Sequence, residues 1–186
     1  MAHYDLTLPL TDEMVNMLRA GDEVTLTGDI YTGRDAAHKR LMALLEKNEP
    51  LPIDLQGQTL YYVGPAPASP GHAVGSAGPT TSYRMDAYTP KLLKLGLKGM
   101  IGKGRRNEKV QAAMQEYGAV YFGAVGGAAA LIARCIEKIE VVAYPDLGPE
   151  AIHRFTIRNF PVLVLMDAHG GNLYESGPAL YKREIL

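Results

Sequence analysis

The chain has 186 residues, 47% hydrophobic and 21% charged, and its 19 basic and 20 acidic side chains leave a formal net charge of −1. That length supports one domain with its own core, and that composition excludes a disordered or fibrous polypeptide. So even a charge balance removes any global attraction to nucleic acid or to an anionic membrane, and no apolar run approaches the roughly 20 residues a membrane helix needs.

In chain order, TDEMVNMLRAGD (11–22) reads as a short helix capped by Thr11 or Asp12, with Met14, Val15 and Leu18 at helical spacing and Gly21 as its stop. EVTLTGDIYTG (23–33) follows as an extended strand interrupted by Gly28. Asp35 then caps an amphipathic helix, AAHKRLMALLEKNE, which Pro50 and Pro52 terminate. TLYYV (59–63) is a buried strand, and GPAPASPGHAVGSAG (64–78) is a loop long enough to expect a functional use. Met85 to Leu95 reads as helical, GLKGMIGKG holds a short strand, and RRNEKVQAAMQEYG is a helix stopped by Gly118. Then come a strand in AVYFGAVGG, an apolar helix in AAALIARCIEKI, a strand in IEVVAYPDLG and a last strand in PVLVLMDAHGG that turns toward LYESG. Strands and helices alternating through the C-terminal two thirds predict a layered α/β domain over 1–186, with a mixed, largely parallel sheet flanked by helices.

One cysteine, Cys135, cannot form an internal disulfide, and no basic leader followed by an apolar run opens the chain, so a reducing cytoplasmic location is expected. The same cysteine and five scattered histidines give no ligand spacing for a zinc or iron-sulfur site, so no metal ligand is assigned to this chain. Cys135 itself falls mid-way along an apolar helix, where small buried cysteines sit.

Three segments share one design, a strand end followed by glycine and a basic residue: YTGRD (31–35), GPTTSYR (78–84) and GKGRR (102–106). At the carboxyl ends of α/β strands glycine lets the backbone approach a ligand, and helix N-termini supply N–H groups and partial positive charge. Arg34, Arg84 and Lys103 on three such corners therefore point to one anionic pocket. The plainer alternatives are that Arg34 pairs with Asp35, that Arg84 and Asp86 form an ion pair at a helix start capped by Thr80 or Thr81, and that GKG is a solvated turn. Arg105 and Arg106 read as a wet basic pair, and His38 either orients Arg34 or a substrate oxygen, or lies on the surface. Phosphate-loop and dinucleotide fingerprints are missing: GAVGGAAA lacks the GxGxxG order.

Taken together, TGDIYTGRDAAHKR, LYYVGPAPASPG, SAGPTTSYRMDAY, GMIGKGRR, YFGAVGGAAAL and VVAYPDLGPEAIHRFTIRNFPVLVLMDAHGGNLY resemble the beta subunit, or C-terminal domain, of the iron-sulfur hydro-lyases, class I fumarase and L(+)-tartrate dehydratase. The resemblance runs from about residue 5 to 175 with the motifs in order. It implies a swivelling β/β/α fold that closes over substrate, and a separate alpha subunit carrying a [4Fe-4S] cluster whose open iron acts on the substrate hydroxyl. It further implies that Arg34, Thr81, Arg84 and Lys103 bind a small dicarboxylate, that Thr80 with Arg84 and Lys103 is catalytic, and that Asp35, His38 and Asp86 stand behind them, Asp86 orienting Arg84. Tyr83 and Arg105 depart from the family pattern, which has a small residue and an asparagine there, and bear on substrate identity. The implied activity is hydration of fumarate to (S)-malate, or dehydration of tartrate to oxaloacetate, in a heteromer; a homodimer or heterotetramer is compatible. A stand-alone anion-binding module is the competing class. The uncharged GPAPASPG loop and GGAAA turn are the expected face for an alpha partner.

Overall fold

The computed structural model describes residues 1–68, 70–71, 73–124 and 129–181. Ser69, His72 and the glycine turn at 125–128 lie outside the described residues, as does most of the expected GGAAA docking face. Among the described residues seven strands form one mixed sheet: β1 (His3–Thr7), β2 (Glu23–Thr32), β3 (Thr59–Tyr61), β4 (Gly99–Gly102), β5 (Val120–Gly123), β6 (Ile136–Ala143) and β7 (Ile152–Met166). Strands β1 to β5 pair in parallel with their sequence neighbours. β7 runs antiparallel to β2, β5 and β6 at once, so the pairings β2, β3, β4, β5 and β7 close into a circuit.

Side-chain alternation along these strands feeds two cores. Ile30, Tyr61, Ile101, Val120, Phe122 and Phe155 face one apolar cluster, which also takes Val15 and Leu18 from around helix α1 (Asp12–Met17). Their neighbours Leu60, Met100 and Tyr121 face the other, against α2 (Asp35–Glu46), α3 (Thr89–Lys94) and α4 (Glu108–Tyr117). Local chemistry sets the helix ends: Thr11 accepts from the Met14 N–H, Asn107 from the Val110 N–H, and Gly118 stops α4 in the left-handed region at φ 62°.

Five details depart from the sequence expectation. Strand β1 was not foreseen, and β7 begins at Ile152 and runs on through Pro161. That proline sits where β7 changes partner, after β6 ends its pairing at Ile157 and before β5 begins at Leu163, so no ladder bond is lost on that side. The expected helix across AAALIARCIEKI is only α5 (Ala129–Arg134); Cys135 follows it and Ile136 opens β6, because the β-branched run after it suits a pleated surface. The expected helix from Met85 to Leu95 divides into a 3-10 turn at Ser82–Met85 and α3, where Pro90 occupies the first turn. LYESG, finally, opens helix α6 (Leu173–Tyr181).

Candidate active site

Because β2, β3 and β4 are parallel neighbours, their carboxyl ends share one edge of the sheet. Gly33 and Arg34 follow β2, the segment leaving β3 returns with Thr80 to Arg84, and β4 runs into Lys103. Backbone hydrogen bonds sew the corners together: Gly33 N to the Tyr61 carbonyl (3.1 Å), Thr80 N to the Tyr62 carbonyl (2.7 Å) and Ser82 N to the Lys103 carbonyl (2.9 Å). Thr81 and Lys103 form an isolated parallel bridge. The three corners singled out by composition thus meet at the edge where α/β ligands bind.

Arg84 is the hub. Its Nη2 donates to Thr80 Oγ1 at 2.6 Å and lies 3.1 Å from Asp35 Oδ2. The Asp35 carboxylate is also 4.0 Å from Arg34 Nε, which has Glu150 Oε1 at 3.4 Å on another side. Those separations allow charge pairing, yet Arg34 Nε is buried and makes no hydrogen bond among the described residues, a donor awaiting an acceptor. The guanidinium lies across Gly64, where a Cβ would come 2.7 Å from Arg34 Nη1, so the glycine opening the long loop makes room for it. Lys103 is exposed and lines a pocket of about 250 Å³ with Gly102, Gly123, Ala124, Leu163, Leu165 and Tyr174.

Of the residues placed behind the cations, Asp86 sits differently from expectation, whereas His38 stands behind Arg34 as the resemblance implies. Asp86 does not face Arg84: its Oδ1 accepts from Arg106 Nε at 2.6 Å and its Oδ2 from the Asn107 N–H at 2.8 Å, while Asp35 pairs with Arg84 instead. His38 is not on the surface. Its Nδ1 is 2.8 Å from the Arg34 carbonyl, which can only accept, so the ring proton is on Nδ1 and the buried Nε2 has no partner among the described residues. Complete burial between Tyr62 and Tyr88 lowers its pKa to about 4 and leaves it neutral, holding the Arg34 backbone.

Sequence reasoning missed Arg106, which is 4% exposed rather than wet. Beyond Asp86 it donates through Nη2 to Thr89 Oγ1 at 2.7 Å, and its guanidinium lies 5.2 Å from the Tyr62 ring centroid and 5.1 Å from that of Tyr121. Burial opposes its charge, but Tyr62, Asp86 and Tyr121 outweigh that and raise its pKa. A signal existed: Arg106 immediately precedes the Asn107 cap, a position that turns toward the protein body. Of the two departures from the family pattern, Tyr83 is 64% exposed and Arg105 reaches the Tyr174 carbonyl at 3.2 Å.

Residues 1–177 match the family Fumarase C-terminus. The chain belongs to this family. Relatives include a "Putative fumarate hydratase class I" of Geobacillus stearothermophilus, 41% identical over 91% of this chain and 33% of its own length, and the anaerobic fumarate hydratase class I of Escherichia coli, 37% identical over 92% and 32%. A "Putative L(+)-tartrate dehydratase subunit beta" of Methanocaldococcus jannaschii is 39% identical over 89% of this chain and 88% of its own length. The chain therefore spans about a third of the fumarate hydratases it matches but most of the tartrate dehydratase subunit. An iron-sulfur cluster needs several thiolates to hold it. One cysteine, and no group of three or more potential metal ligands among the described residues, do not fit such a cluster here. No helix among the described residues is long and apolar enough to cross a membrane.

Proposed function

We propose that this chain is the carboxylate-binding beta subunit of a heteromeric hydro-lyase that interconverts fumarate and (S)-malate. Its domain closes, in swivelling fashion, over a site completed by an alpha subunit. The observation that carries this reading is the linked set Thr80, Arg84, Asp35 and Arg34 at one edge of the sheet, where the buried Arg34 Nε makes no hydrogen bond among the described residues. In the proposal a [4Fe-4S] cluster held by the alpha subunit supplies Lewis acidity toward the substrate hydroxyl. Everything else falls to this chain's side chains.

Arg34, Arg84 and Lys103 would hold the two carboxylates, the arginines through paired N–H donors. Loss of a proton beside a carboxylate spreads negative charge onto its oxygens, and fixed cations stabilise that form more than the ground state. Thr80 is the candidate base. Arg84 already donates to its Oγ1, a bond that strengthens as the oxygen gains negative charge and so lowers the cost of proton removal. Asp35 keeps Arg84 aimed at that hydroxyl in the absence of substrate. The exposed Ala66, Pro67, Ala68 and Pro70 of the long loop are the proposed contact for the alpha subunit.

A second reading, the beta subunit of an L(+)-tartrate dehydratase, is favoured by the relative that is itself a subunit of nearly this length. Anaerobic reconstitution with the cluster-bearing partner, assayed on malate and on L(+)-tartrate, separates the two. Turnover of neither by the assembled pair would leave only the anion-binding module.

A further inference from the structure

Between the two loops that carry Arg84 and Lys103 lies buried polar machinery that no step above uses. Along the 3-10 turn, Ser82 and Asp86 point inward, 0% and 5% exposed, while the Arg84 side chain between them is 36% exposed. Each inward residue grips the other loop. Ser82 Oγ accepts from the Lys103 N–H at 3.1 Å, and the Tyr121 hydroxyl is 2.9 Å from both Ser82 Oγ and the Gly104 carbonyl. A carbonyl can only accept, so the Tyr121 proton goes to Gly104 and Ser82 donates its own proton to Tyr121. Gly102 leaves the room this needs, since a Cβ there would fall 2.0 Å from Ser82 Oγ. Asp86 in turn takes Arg106 Nε and the Asn107 N–H.

The ring of Tyr121 belongs to both grips, because the Arg106 guanidinium packs 5.1 Å from its centroid. A buried ion pair contributes little net stability compared with well-packed apolar residues, so stability alone is a weak reason for a forked cation here. Geometry is a better one. Arg106 reaches Asp86, Thr89 and Tyr62 from three different nitrogens, which a lysine cannot do. We infer that Ser82 with Tyr121, and Asp86 with Arg106, are two clamps that bracket Arg84 and fasten it to Lys103 as one rigid carboxylate-binding unit. Tyr121 and Arg106 are thus positioning residues for a dicarboxylate they do not touch. The inference rests on reading Arg84 and Lys103 as its ligands.

The test is Tyr121→Phe and Arg106→Lys, with Ile157→Val in the other core as a control for lost packing. In the chain alone, amide exchange should quicken about tenfold at Lys103 in Tyr121→Phe with Asn107 unchanged, and at Asn107 in Arg106→Lys. In the complex assembled with the cluster-bearing partner, each clamp variant should raise KM about tenfold and lower kcat less, since uniform binding is what misplaced ligands lose. Ile157→Val should leave KM alone. Faster exchange with unchanged KM, or an equal rise in the control, overturns the inference. If the wild-type complex has no hydro-lyase turnover, the proposed function fails by itself. The clamps are then read from the Kd of the isolated chain for L-malate, which Tyr121→Phe should weaken about tenfold; an unchanged Kd overturns them.

Discussion

Two arginine layers lie at one end of the sheet. Arg34 and Arg84 form the outer layer, with side chains 29% and 36% exposed and carboxylates at 3.1 to 4.0 Å; Arg106 forms the inner one, fully enclosed and 2.6 Å from Asp86. The same side chain does opposite work in the two places. Outside, pairing is loose, and the proposed function uses those donors for an anion; inside, all three guanidinium nitrogens donate to neighbours and the cation ties the loops together. Counting arginines near a pocket therefore says little until each one's carboxylate is known.

The largest effect that separates the layers is on turnover. Arg84→Ala in the assembled enzyme should cost kcat/KM about a thousandfold, roughly 4 kcal/mol, with complex formation intact by size exclusion. Asp86→Asn attacks the inner layer, and by leaving Arg106 without its counter-charge it should lose about 3 to 5 kcal/mol of folding stability in urea titrations. His38, buried behind Arg34, gives this end of the sheet a pH signature. Its folded pKa, about 4, lies below the ordinary 6.5, so the unfolded chain binds more protons and stability falls as the pH drops from 6.5 toward 4. The loss approaches roughly 3 kcal/mol at the bottom of that window. Buried His153 acts in the same direction, and His38→Phe should flatten much of the dependence.

Smaller effects sharpen the contrast. Gly64→Ala pushes a Cβ onto the Arg34 guanidinium, whose flexible end can give way, so KM should rise several-fold, about 1 kcal/mol, with little change in melting temperature. Asp35→Asn makes the same chemical change as Asp86→Asn, but in a pair whose members are 42% and 36% exposed. Its stability cost in the same titrations should stay under about 1 kcal/mol.

The outer layer was legible because glycine and a basic residue after a strand is a local pattern: Arg34, Arg84 and Lys103 could be placed on one edge from strand order alone. The inner layer was not, because which carboxylate meets which cation depends on contacts between distant segments. Asp86 is two residues from Arg84 in sequence, yet the 3-10 turn points it the other way, toward Arg106, while Asp35 reaches Arg84 from another corner. β-branching could have shown that the run after Cys135 is a strand; the helical spacing of its apolar residues hid it. β1 was hidden for a different reason, being a short edge strand whose register is set by β2.

The most direct measurement follows the side-chain Nε–H resonances of the three arginines while the isolated chain is titrated with L-malate. Arg34 and Arg84 should shift together along one binding curve, and Arg106 should stay in place. Arg106 moving on that curve, or Arg34 and Arg84 staying fixed at saturating malate, would contradict the division into a receiving layer and a holding layer.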